Sequence, residues 1–162
     1  MRLIRHLAAS TALVAGLLAM GGAACGAAAE GAPLFRDAAR PPTAPPAAAP
    51  PVVRSRYVEV DFDALGGVNA SPAATAASVR LNLFPDASYL AERDGAEPTS
   101  SGRGVIWRGH LQGVPDSTVT LVAEDGVLAG DVRGAGHVYA VRYVGDGVHA
   151  VQEINAGAFP PD

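Results

Sequence analysis

The sequence contains no lysine, one cysteine and one tryptophan in 162 residues. Without lysine, Schiff-base chemistry, a Ser-Lys dyad and the lysine of a phosphate-binding loop are all excluded. The single cysteine is Cys25, so nothing after it can form a disulfide or a thiolate metal site. A folded domain downstream must therefore be held by apolar burial. Long apolar runs are also missing beyond the first 29 residues, and no later stretch approaches the roughly 20 strongly apolar residues of a spanning helix. Neither Gly-x-Ser-x-Gly, Gly-x-Gly-x-x-Gly nor His-Glu-x-x-His occurs, so the nucleophile elbow, the dinucleotide fingerprint and the zinc-peptidase helix are not written here. The chain reads as a non-enzyme with no cofactor.

What is there begins with an export signal. Arg2 and Arg5 supply a positive end, Leu7 to Met20 an apolar run, and Gly21 to Ala29 a series of small residues. Residues 1–29 accordingly read as a signal peptide, and the protein as exported. Cys25 follows Gly22-Ala23-Ala24, where a lipoprotein signal places its acylated cysteine; lipid there would fix the protein to the cell envelope. Gly22 stands where that pattern usually has Leu, and Ala27-Ala28-Ala29 offers an ordinary signal peptidase a site of its own. Lipidation at Cys25 and plain cleavage, with release to the periplasm or the medium, both stand as readings. With Arg2 and Arg5 removed, ten arginines face sixteen acids, a formal charge of −6 against −4 for the full chain. That balance disfavours nucleic acid and anionic membrane as partners, leaving a lipid on Cys25 as the one route to a membrane.

From Ala38 to Val53 the chain is mostly Ala and Pro, with Pro41-Pro42, Pro45-Pro46 and Pro50-Pro51. Such a segment buries little and favours extended polyproline conformation, so residues 30–53 are expected to be a disordered, Pro/Ala-rich spacer. Residues 54–162 change to period two. Val58, Val60 and Phe62 fall on one face with Tyr57, Glu59 and Asp61 on the other; Val79, Leu81 and Leu83 repeat the pattern, and Val105, Trp107 and Leu111 share a face with Gly109. The Ala-rich piece from Ala70 to Ala77, bounded by Gly66-Gly67 and carrying Pro72, reads as a loop.

Turn chemistry fixes the pairing. Asp125-Gly126 suits a two-residue type I′ turn and pairs Glu124 with Val127, Ala123 with Leu128, Leu121 with Gly130 and Val119 with Val132. Asp146-Gly147 repeats the signal and predicts Tyr139, Val141 and Tyr143 on the same face as Ala150 and Ile154. Gly134-Ala135-Gly136, Val114-Pro115-Asp116-Ser117 and Pro85-Asp86 supply further reversals. The expected architecture is all-β: an antiparallel β-sandwich or rolled sheet of about eight short strands. Its predicted core is Val58, Val60, Phe62, Val79, Leu81, Leu83, Val105, Trp107, Leu111, Val119, Leu121, Leu128, Val132, Val141 and Ile154.

Candidate chemistry is thin. His110, His137 and His149 lie far apart without zinc-ligand spacing, and read as solvated strand histidines. Glu59, Asp61 and Asp63 would share one face if the strand continued through them, but Leu65 and Pro72 occupy positions where an EF-hand loop needs oxygen ligands. A polar, solvated sheet face is the reading for these acids.

A family resemblance comes from the runs Arg54-Ser55-Arg56-Tyr57-Val58-Glu59-Val60-Asp61, Val79-Arg80-Leu81-Asn82-Leu83-Phe84-Pro85-Asp86 and Trp107-Arg108-Gly109-His110-Leu111-Gln112-Gly113. It continues through Ser117 to Val122, Asp125 to Gly130, Ile154 and Ala158-Phe159-Pro160-Pro161. In order and spacing these resemble the N-terminal pro-region of secreted bacterial reprolysin-like zinc metallopeptidases. The resemblance implies a propeptide-like domain that binds a zinc metalloprotease as folding assistant or inhibitor; an exposed sheet edge, where backbone groups can pair with an extended strand of the partner, is the expected contact surface. The family's zinc-ligand motif is not among these residues, so no catalytic residue is carried over. A different reading, an envelope-tethered lipoprotein whose β domain is a structural or ligand-binding module, follows from Cys25 alone. If Cys25 is acylated, labelled palmitate enters the wild-type protein and not Cys25→Ala; an unlabelled wild type cut near Glu30 would refute the lipoprotein reading.

Overall fold

The computed structural model describes residues 31–42, 51–67 and 71–158. Nine strands form one nearly closed antiparallel sheet: β1 (Phe35–Asp37), β2 (Val52–Val60), β3 (Ser78–Phe84), β4 (Ala87–Pro98), β5 (Gly104–Leu111), β6 (Thr118–Glu124), β7 (Val127–Gly134), β8 (His137–Gly145) and β9 (Val148–Ile154). In space the order is β1-β2-β9-β8-β7-β6-β5-β4-β3. Seven consecutive strands make an up-and-down meander, and the β1–β2 hairpin returns beside β9. No helix among the described residues is long and apolar enough to cross a membrane.

The first hairpin follows its sequence signal pair for pair. Asp125 and Gly126 take φ of 49° and 76°, and Glu124 meets Val127, Ala123 Leu128, Leu121 Gly130 and Val119 Val132. Both central residues at positive φ match the right-handed twist of the strands they join.

The second hairpin departs from expectation. Gly145 faces Val148 across the turn, but a bulge then shifts the register so that Tyr143 faces His149, Val141 faces Val151 and Tyr139 faces Glu153. One extra residue moves every later side chain of β9 to the other face. His149, Val151 and Glu153 therefore point inward, and Ile154, expected in the core, lies on the outer face beside Val138 and Val52. Gly145 makes this possible, with φ of 111°, a backbone state that residues with a Cβ rarely adopt.

The spacer expectation also needs correcting at both ends. Leu34 and Phe35 are buried in the core, β1 lies inside the segment expected to be a linker, and β2 starts at Val52. The folded unit thus begins near Pro33 rather than at Arg54. The Ala/Pro-rich stretch connects β1 to β2, with residues 43–50 outside the described residues, as are the signal segment and Cys25. At the other end of β2 the alternation stops at Val60: Asp61 caps a short 3-10 turn at Phe62–Leu65 by accepting a hydrogen bond from the Asp63 amide. Glu59, Asp61 and Asp63 therefore do not line one strand face. Val60 and Phe62 pack on the edge of the core, and Leu65 enters it.

Inside, side chains stack in cross-strand rows. One row runs Arg56, Val151, Val141, Gly130, Leu121 and Trp107; the next runs Val58, His149 and Tyr143 on one side and Leu128, Ala123 and Val105 on the other. Trp107 is buried, and its indole N–H donates to the Ala76 carbonyl at 2.9 Å, fastening the loop before β3 over the interior. Glycine makes room for the ring, because a Cβ at Gly109 would lie 2.6 Å from it and 2.0 Å from the Glu92 carbonyl oxygen. Arg93 helps hold the same loop, donating to the carbonyls of Pro72 and Thr75 at 3.2 and 2.7 Å. Trp107→Ala should cost about 3–5 kcal/mol of stability, the usual loss for a buried aromatic; a melting curve superimposable on the wild type would contradict this packing.

Candidate functional site

The sheet closes at a seam between β1–β2 and β3, and the polar chemistry of the molecule gathers there. At its upper part the backbone does the work: Leu34 N–H donates to the Arg80 carbonyl at 3.0 Å. Next to it the Asn82 amide imitates a peptide group, accepting from Phe35 N–H at 3.0 Å and donating to the Phe35 carbonyl at 2.7 Å. Beyond β1 the gap is crossed by side chains of β2. Arg56 reaches the Asn82 carbonyl at 2.6 Å and Asp37 at 3.1 Å. Arg54 lies 4.1 Å over the Phe84 ring, donates to Asp86 at 2.8 Å and to Glu153 at 2.5 Å.

Glu153 also meets the His137 ring nitrogen at 2.7 Å, so His137, Glu153, Arg54 and Asp86 form one connected chain of polar contacts. Burial alone would raise the Glu153 carboxyl, but hydrogen bonds from Arg54 and His137 outweigh it and hold the group below its usual range. Asp86 is lowered by the Arg54 hydrogen bond and its own backbone amide. Beneath them the Tyr139 hydroxyl is raised, first by burial and then by its hydrogen bond with Tyr89. Carboxylates locked in the ionised state by fixed cations stitch a seam; they are poorly suited to exchange protons near neutrality.

The histidines separate into two kinds. His137 is exposed, as expected, and His110 is half-buried on the outer face with Asp94 at 2.8 Å and Glu92 at 3.5 Å. His149 corrects the expectation of a solvated ring, being wholly buried. The bulge at the end of β8 turns it inward, where β8 has splayed from β7 and left the Leu128 amide without a strand partner. His149 Nε2 accepts that N–H at 2.9 Å, and the Tyr143 ring meets the imidazole edge-on at 5.2 Å. The ring's proton must therefore sit on Nδ1, which is buried without a hydrogen-bond partner. Period-two reading assigned His149 to an outward or edge face; the signal that could have corrected it is Gly145, one residue before the turn pair.

Among the described residues no group of three or more His, Cys, Asp or Glu is placed to hold a metal ion. The described residues also form surface concavities, of which two stand out. One of about 460 Å³ is lined by Ser71, Pro72, Pro98, Arg103 and Asp125, with Arg103 engaged by Glu124 at 3.3 Å and Asp125 at 3.1 Å. The other, of about 260 Å³, crosses the outer face of β7, β8, β9 and β2. The expected docking edge is not freely available, because the two edge strands of the sheet face each other across the seam.

Comparison with protein-family models, with curated proteins and with solved structures finds no match to this chain.

Burial holds the His149 pKa below its ordinary 6.5, opposed by the backbone at Gly147. The unfolded chain then takes up this proton before the folded one, so the stabilisation is complete above pH 6.5 and declines as the pH falls below it. Wild-type stability should fall with a slope of up to about 1.4 kcal/mol per pH unit from this residue. His149→Gln keeps an acceptor for Leu128 and should flatten that slope; identical pH profiles of the melting temperature would refute the assignment.

Proposed function

We propose that the chain is an exported, non-catalytic, propeptide-like module that binds a zinc metalloprotease as folding assistant or inhibitor. What supports this reading is that the sequence runs resembling the metallopeptidase pro-region interlock in space. Arg54 and Arg56 of the first run grip Asp86, Phe84 and Asn82 of the second. Gly109 in the Trp107 run accommodates that run's own indole, and the Asp125-Gly126 run builds the hairpin beside it. The runs that carry the resemblance are thus neighbours in one fold, as a shared domain would require.

Binding without a thiol switch sets the manner of action. With no cysteine beyond Cys25, inhibition would be steric or would use a carboxylate or histidine, and it would be insensitive to thiol reagents.

A second reading, the envelope-tethered module, gains from the placement of Leu34 and Phe35 in the core. The stretch from Cys25 to Leu34 can span at most about 30 Å, so a lipid on Cys25 would hold the barrel close to the membrane surface. The Ala/Pro-rich segment, which follows β1, would then be a loop of the domain and not its tether.

The purified protein should hydrolyse no peptide, yet retain a reprolysin-like zinc protease secreted by the same organism and change its refolding yield or activity. Retention should persist after thiol blocking. If each such protease refolds and works identically with and without the protein, and none is retained, the propeptide role is wrong.

A further inference from the structure

The outer groove of β7, β8, β9 and β2 carries two exposed arginines whose side chains are not engaged with other described residues. Among the described residues, Arg36, Arg54, Arg56, Arg103 and Arg108 are ion-paired and Arg93 is hydrogen-bonded to loop carbonyls. Arg40 and Arg80 are engaged as well. The side chains of Arg133 and Arg142 make no hydrogen bond or ion pair with another described residue, and both are exposed on the lining of this one groove.

Its floor is apolar for a reason that lies in the register. Val138 faces Arg133 on one side and Ile154 on the other, and Ile154 faces Val52. The bulge that turned Glu153 inward is what brought Ile154 out into this row. Next along β8 comes Ala140, whose short side chain deepens the surface, with Asp131 opposite it. Arg142 follows at the far end.

We infer that this groove docks an extended acidic segment of a protein partner, with a carboxylate at each end and uncharged apolar residues between. The spacing carries the pattern. Arg133 sits beside Val138, and from Val138 to Arg142 along β8 is about 13 Å, four residue steps, so the first, third and fifth residues of an extended five-residue segment face the groove. Each terminal carboxylate meets a guanidinium, the central apolar residue lies over Val138, Ala140 and Ile154, and Asp131 repels a third acid at the centre. A polyanion is disfavoured because the chain as a whole is acidic, whereas a short segment senses the local pair of arginines. The inference gives a contact surface to the partner-binding reading and rests on that reading only for the partner's identity.

The test uses an acetylated, dye-labelled Glu-Val-Leu-Val-Glu peptide, whose two carboxylates and central Leu share one face when extended, and the purified protein, followed by fluorescence anisotropy at low and high ionic strength. The wild type should bind it, more weakly as salt rises, and should prefer it to Lys-Val-Leu-Val-Lys and to Glu-Ser-Ser-Ser-Glu. Arg133→Gln with Arg142→Gln should weaken binding about tenfold or more while leaving the melting temperature in place, since neither side chain has a partner to lose. Equal binding by the double variant, equal binding of the lysine peptide, no binding by the wild type, or a concentration-dependent dimer that covers the groove and disappears in the double variant would each overturn the inference. Retention of a secreted zinc protease, measured on the same two proteins, is a separate readout. Protease held equally by both refutes the groove and leaves the propeptide role standing, while peptide binding without any protease retained refutes the role and leaves the groove.

Discussion

Everything in this fold depends on closing the seam between β2 and β3. A sheet of this many strands buries its inner face only by curling, and curling brings its two edges together with their backbone groups facing each other. β1 covers three residues of that line, and side chains cover the rest. The Asn82 amide substitutes for a peptide unit, which it can do because it carries both a donor and an acceptor in one plane. Arginine then bridges what the backbone cannot reach. Its planar head donates in several directions at once and stacks on an aromatic face, and Arg54 uses both properties by joining Asp86 and Glu153 while lying on Phe84.

The seam explains why the segment before β2 is structural. A chain of this composition beyond β1, nearly all Ala and Pro, has little reason to fold by itself. Leu34-Phe35-Arg36-Asp37 differs from it in kind: two large apolar residues followed by a charged pair, enough for one short strand. Compositional averaging over residues 30–53 concealed that difference, because four informative residues were diluted by the run behind them. Reading Leu34-Phe35 as an apolar pair set apart from the Ala/Pro run would have exposed it.

Local turn chemistry was the most legible part of the sequence, and its one error is instructive. Asp125-Gly126 and Asp146-Gly147 are the same signal, and both form the turn. After the first, alternation alone predicts the register correctly; after the second, a single bulged residue inverts it. Alternation could not arbitrate, since on β9 both faces carry apolar residues, with Val148, Ala150 and Ile154 on one and Val151 on the other. The same degeneracy hid the inward arginines. Continuing the period backward from Val58 leads to Arg56 and Arg54, so the positions were readable, but the rule that charge faces water argued against them. That rule fails here because the interior end of the sheet is also its seam, where charges find partners that neutralise them.

The consequence reaches function through the bulge. Had β9 kept the simpler register, Ile154 would have pointed inward and Glu153 outward, leaving Arg54 without one of its two carboxylates and the outer face without its apolar row. One extra residue in β8 thus supplies the acid that secures the seam and the hydrophobic residue that floors the groove. It also empties the place beside β7 that His149 fills. A nearly closed sheet has little edge to offer, so the docking we propose uses a face. The face that combines apolar floor with uncommitted arginines is the one this register created, so the same bulge that secures the seam also shapes the proposed groove.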